Sequence, residues 1–153
     1  MTIGDLQVVT ASSPLAENPF TASGGTDLRG TIAMLIPIGW SDRGDRVLAR
    51  EFEAVFGSSV ASDYAVVWDR HQNQVVTLAP SFVDYTTAVV LGWSQHHQDR
   101  VLFSTTSLGE EKWYLWTVDR DGQTTSALDD QPTTSGQVIN SIWTGPQSKV
   151  GNY

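Results

Sequence analysis

A Gly-Trp-Ser run occurs twice in this chain, and the residues after it recur as well. Gly39-Trp40-Ser41 leads into Asp45-Arg46-Val47-Leu48, and Gly92-Trp93-Ser94 leads into Asp99-Arg100-Val101-Leu102. Trp68-Asp69-Arg70 is echoed by Val118-Asp119-Arg120. The tryptophans lie 53 residues apart and the later aspartates 50. Two copies of one unit constrain the fold more tightly than composition does, because each copy must adopt the same local structure.

Within each copy, apolar and β-branched runs alternate with turn residues. In the first copy, Thr31 to Trp40 reads as a buried strand, Val47 to Phe56 as a second, Asp63 to Trp68 as a third and Gln74 to Leu78 as a fourth. Turns at Ser41–Asp45, Gly57–Ser59 and His71–Asn73 separate them, since Asp, Asn and Gly supply the local hydrogen bonds and positive φ of tight reversals. The second copy repeats the order with Thr86 to Trp93, Arg100 to Thr105, Lys112 to Val118 and Gln123 to Leu128. Asp121-Gly122 predicts a type I′ hairpin turn. Four short strands per unit, joined by tight turns, make an antiparallel meander. One segment is ambiguous: Val47, Leu48, Phe52, Val55 and Phe56 also fit a helical stripe, with Asp45 as N-cap and Gly57 as stop. The strand-like second copy favours a strand there.

The expected fold is therefore all-β: two tandem four-stranded antiparallel meanders, about 31–78 and 86–128, in one domain over 1–153. Strand-like segments flank them at about 5–10 and 138–143, and residues 11–30 and 129–136 read as polar connections.

Charge and composition exclude several function classes. The formal net charge is -8, with no Lys/Arg run, so a polyanion such as nucleic acid is repelled. An anionic membrane surface is disfavoured for the same reason. No apolar stretch approaches the roughly 18 residues that span a bilayer. The N-terminus lacks a basic region followed by an apolar run, and the chain has no cysteine. A cytoplasmic location is expected on these grounds.

The residue inventory offers little chemistry. His71, His96 and His97 are the only histidines. His96 and His97 fall in a turn and, as neighbours, point apart, so a metal site with Asp99 is not expected. Ser, His and Asp occur without a Gly-x-Ser-x-Gly elbow. Carboxylates pair at Glu51/Glu53, Glu110/Glu111 and Asp129/Asp130. Glu51 and Glu53 would share a strand face, and Glu110 and Glu111 sit beside Trp113 and Trp116. No cofactor motif is present. The duplicated Trp40, Trp93, Asp45, Arg46, Asp99 and Arg100 read as structural, the tryptophans as core anchors and the aspartates as turn formers.

The segments Ile38 to Leu48 and Leu91 to Leu102 resemble the TolB-type β-propeller repeat, in which an apolar residue and an aromatic-Ser pair precede a turn, a basic residue and a strand. Trp113 to Gly122 resembles the later part of that repeat, an aromatic strand running into Asp and a Gly turn. The resemblance implies blade-like four-stranded units packed face to face. Closed propellers need four or more blades, and two leave apolar faces uncovered. The chain is then a piece of a longer ring, a unit completed by other copies, or a self-closed sandwich or barrel-like domain, and the last is favoured.

Function is best sought where the copies differ: the first-unit segment Glu53 to Ser62, and Glu110-Glu111-Lys112-Trp113. The leading expectation is a non-enzymatic interaction module that binds another protein or its own copy. The alternative is a carbohydrate-binding or hydrolytic domain in which Trp113 or Trp116 lies in a groove beside Glu110 or Glu111.

Overall fold

The computed structural model describes residues 31–55 and 61–133, and within them the chain is all-β. The first sheet has the order β1 (Thr31–Trp40), β2 (Arg46–Val55), β3 (Ala61–Asp69), β4 (Gln74–Leu78). The second contains β5 (Thr87–Ser94), β6 (Val101–Thr106), β7 (Tyr114–Val118), β8 (Thr124–Ser126) and β9 (Pro132–Thr133), in the order β8-β7-β6-β5-β9. All neighbours run antiparallel. The candidate flanking strands at 5–10 and 138–143 lie outside the described residues. No helix among the described residues is long and apolar enough to cross a membrane.

The repeat extends to the hydrogen-bond register. Trp40 faces Val47 and Val47 faces Trp68, while Trp93 faces Val101 and Val101 faces Val118. Pro37 faces Ala49 as Val90 faces Phe103, and Leu35 faces Glu51 as Ala88 faces Thr105. Each first strand carries a bulge at the same place, between Pro37 and Gly39 in β1 and between Val90 and Gly92 in β5. Such bulges bend a strand and increase its twist.

The ambiguous 47–56 segment is strand over its described residues, to Val55. β2 is laddered on both sides, to β1 and β3, from Val47 to Ala54, and two ladders outweigh a helical spacing of apolar residues. It runs to Val55 and β3 opens at Ala61, so the expected Glu53–Ser62 loop is strand at both of its ends. The Asp121-Gly122 turn is not type I′, because only Gly122 has positive φ, at 83°. Gly122 N–H donates to the Asp119 carbonyl and Asp119 N–H to that of Gln123, which is a type I reversal closed by a left-handed glycine. β9 falls in the 129–136 stretch read as polar connection. It is two residues long, and its only signal is its pairing with Trp93 and Ser94.

One core lies between the sheets. The first sheet contributes Leu48, Ala65, Val67 and Leu78, and the second contributes Ala88, Val90, Trp93, Val101, Phe103 and Val118. Ile38, Val76 and Tyr85 pack at its margin. The face that the second sheet presents to this core is the counterpart of the face that the first sheet turns away from it. The sheets thus stack head to tail in a sandwich-like arrangement. Leu102 and Thr117, on the far side of the second sheet, are also fully buried.

Candidate functional site

The duplicated Asp and Arg residues gather at one end of the sheet junction. Arg46 pairs with Asp69 at 3.3 Å inside the first sheet, and Arg100 pairs with Asp119 at 3.3 Å inside the second. Both aspartates also shape their turns. Asp69 Oδ1 accepts the amides of His71 and Gln72, and Asp119 Oδ1 those of Asp121 and Gln123. The Gln72 amide, together with Arg46, holds the Asp69 carboxyl below its usual range. Asp99, on left-handed backbone at φ 62°, crosses the junction to Arg43 at 2.5 Å and to Arg46 at 3.8 Å. Arg120 returns the link to Asp69 at 3.6 Å and donates to Gln72. A narrow cleft beneath this network is floored by Val67, Val76, Trp93 and Val101. Its acids and bases are paired with one another.

The copies differ at their serines. Ser41 Oγ donates to Asp45 at 2.7 Å, and this bond holds the Asp45 carboxyl low. Ser94 Oγ instead donates to buried Asp130 at 2.5 Å, leaving Asp99 to bridge the sheets. Asp130 Oδ1 also accepts the amides of Gln95, His96 and Gln131. Burial opposes its ionisation, yet Ser94, His97 and the amides of His96 and Gln131 outweigh that cost and hold the carboxyl at about 2. In the sequence Asp130 reads only as half of an exposed pair. Ser94, His97 and Asp130 do come together, but not as a catalytic relay. A relay places the imidazole between acid and hydroxyl. Here Asp130 Oδ2 accepts the serine hydroxyl's hydrogen bond directly, and His97 Nδ1 faces the same oxygen at 3.2 Å. The cluster ties β9 to the turn after β5.

Glu51 and Glu53 share one face of β2, as expected, and both are buried. Desolvation, and then the charge of Glu53, raise the Glu51 carboxyl. Asp63 points to the other face, where Arg50 lies at 2.6 Å and the Val90 amide donates at 2.9 Å. Burial raises Asp63 even so. No group of three or more His, Asp or Glu that could hold a metal occurs among the described residues.

Glu110, Glu111 and Trp113 lie together on an exposed segment before β7, with Trp113 48% exposed. Trp116 is half-buried and donates its indole N–H to Thr105 at 2.8 Å. Neither tryptophan lines the clefts at the sheet junction.

The largest difference between the copies is in their first strands. β5 is closed along its outer edge. Ser62 Oγ accepts the Ala88 amide at 3.2 Å, Asp63 accepts the Val90 amide, and β9 pairs with Trp93 and Ser94. Ala88, Val90 and Trp93 are buried, and Trp93 donates to the Gly39 carbonyl at 3.3 Å. Their counterparts in β1 are Leu35, Pro37 and Trp40, and all three are exposed, Leu35 by 58% and Trp40 by 41%. β1 is therefore not the buried strand its apolar sequence suggested. Trp40 is no core anchor: it meets the edge of Trp68 at 6.4 Å on the outer face. Strand composition signals that cover is needed, but not whether this chain supplies it. A second apolar projection that the sequence did not flag is Phe82. It stands fully exposed on left-handed backbone, in a linker pinned by Ser81 to Thr124 and Gly122.

No protein-family model matches the chain, and no curated protein or solved structure is similar enough to lend an assignment.

Proposed function

We propose that this chain is a non-enzymatic β-repeat interaction module that binds protein through the β1 side of its first sheet. One observation carries the reading: Leu35, Pro37 and Trp40 are exposed where their counterparts Ala88, Val90 and Trp93 are buried. An uncovered apolar edge strand is a surface that natural proteins blunt unless it is used. In this reading the two units are blades of the TolB type, and their matched registers and bulges support that view. The paired charges of the sheet junction and the direct Ser94–Asp130 contact favour binding over catalysis.

The test is retention by the immobilised chain from an extract of the cells that express it. Proteins held by the natural sequence should be lost with Leu35→Glu combined with Trp40→Ser, and kept with Gln72→Glu in the β3–β4 turn. Circular dichroism would confirm that each variant is folded. Equal retention by all three would refute the assignment.

A further inference from the structure

We propose that the outer edge of β1 pairs with the same edge of a second copy of this chain, the two strands running antiparallel about a two-fold axis at Ala33. The proposal rests on the interaction reading above and names its partner.

The backbone phase fixes which groups are available. In β5 the amides of Ala88 and Val90 point away from β6 and are taken by Ser62 and Asp63. Their counterparts in β1 are Leu35 and Pro37, so with a two-residue period the amides and carbonyls of Thr31, Ala33 and Leu35 point outward too. Among the described residues no strand pairs with this side of β1. Pro37 has no amide to offer, and the bulge follows it directly. Both devices stop strand addition, but only in the C-terminal half. From Thr31 to Leu35 the edge has neither.

The open half is self-complementary. With Ala33 on the axis, Thr31 falls opposite the second copy's Leu35, and each pair exchanges both of its backbone hydrogen bonds. A small side chain then faces its own image at the axis. Charge points the same way. The whole chain carries a net charge of -8, which sets copies against each other, yet no charged residue occurs from Thr31 to Trp40. Copies can approach here without opposing like charges. Met34, 40% exposed, and Leu35 lie on opposite faces of the strand, so pairing covers apolar surface on both. Stacking a further copy onto the second sheet is the competing arrangement, but Leu102 and Thr117 are already buried there. The remaining edges are short: β4 opens with exposed Gln74, β8 has three residues and β9 two. Two-fold contacts are also the commonest closed form of self-association.

Sedimentation velocity over a wide concentration range should show a monomer–dimer equilibrium. Ala33→Pro repeats the device at Pro37, removing an outward amide that the sheet does not use, and should weaken dimerisation about 100-fold, which is some 2.7 kcal/mol. The chain has no cysteine, so Ala33→Cys places a lone thiol on the axis. Paired residues about 5.5 Å apart fall inside the disulfide range, and mild oxidation should give a covalent dimer that a control Gln72→Cys does not. The cross-link decides the matter if Ala33→Pro fails to fold. A natural chain that stays monomeric throughout overturns the proposal, as does a dimer that neither responds to Ala33→Pro nor cross-links through Ala33→Cys. Either result leaves the broader reading intact if extract proteins are still lost with the Leu35 and Trp40 changes.

Discussion

β1 and β5 are the same strand twice, yet they meet opposite fates. They share a bulge, a Gly-Trp pair and a register. β5 is roofed by β3, its amides accepted by Ser62 and Asp63. β1 lies at the end of the stack, and at the position of Val90 it carries Pro37. Where a neighbour is present, the strand keeps its donor and the neighbour supplies a carboxylate. Where the described residues supply none, as at Pro37, the donor itself is gone. A repeat unit thus adapts to its place in the stack by changing single backbone groups rather than its fold.

The comparison can be broken most forcefully at the tryptophans. Trp93→Ala should cost about 3–5 kcal/mol, as for other buried aromatic truncations. Trp40→Ala at the matched position should cost about 1 kcal/mol or less. Denaturant unfolding of the two variants measures the contrast, and equal losses would mean that β1 is as well covered as β5. Next in size is the seal on β5. Asp63→Ala leaves Arg50 and the Val90 amide without their acceptor, and about 3 kcal/mol should be lost. Amide exchange at Val90 should accelerate with it, and an unchanged rate would mean that the β5 edge is protected by something else.

The smallest effect sharpens the contrast at the far end of β5, where Asp130 ties β9 in place. Its carboxyl is held at about 2, against 3.8 for a free one. The resulting stabilisation is complete above the unfolded value and drains away as pH falls through about 2. Asp130→Asn should therefore be less stable than the natural chain by about 2 kcal/mol at neutral pH, and the gap should close in acid. A gap that persists at pH 2 would assign the loss to packing rather than charge.

Much of the architecture was legible because the repeat supplied two independent readings of each element. The copy at 101–106 argues for strand in the 47–56 segment, where local spacing alone points both ways, and the described residues of that segment, to Val55, are strand. Turn positions at Asp69 and Asp119 followed from side-chain chemistry that acts within a few residues. What was not legible depended on distant partners. Nothing near Ser94 in sequence shows that its hydroxyl reaches Asp130 rather than Asp99. Nothing in Thr31–Trp40 says that Leu35, Pro37 and Trp40 are exposed. Trp40 and Trp93 share a motif, and only tertiary position separates a core residue from a surface one.

The two bulges carry a consequence for how this sequence tolerates change in length. Side chains along a plain strand alternate strictly, so Pro37 and Trp40, an odd number of positions apart, should emerge on opposite faces. The extra residue in each bulge resets that phase and lets Trp40 follow Pro37, and Trp93 follow Val90, on one face. Deleting Leu91, the unpaired residue of the β5 bulge, would leave Val90 and Trp93 two positions apart, so plain alternation would still hold both on the core face and only the local bend and twist would be lost. The same deletion at Ile38 would likewise keep Pro37 and Trp40 on one face and would give up one side chain at the core margin. The molecule is therefore tolerant of a one-codon loss at either bulge and brittle to one in the plain part of β5, where deleting Val89 would set Ala88 and Val90 on opposite faces.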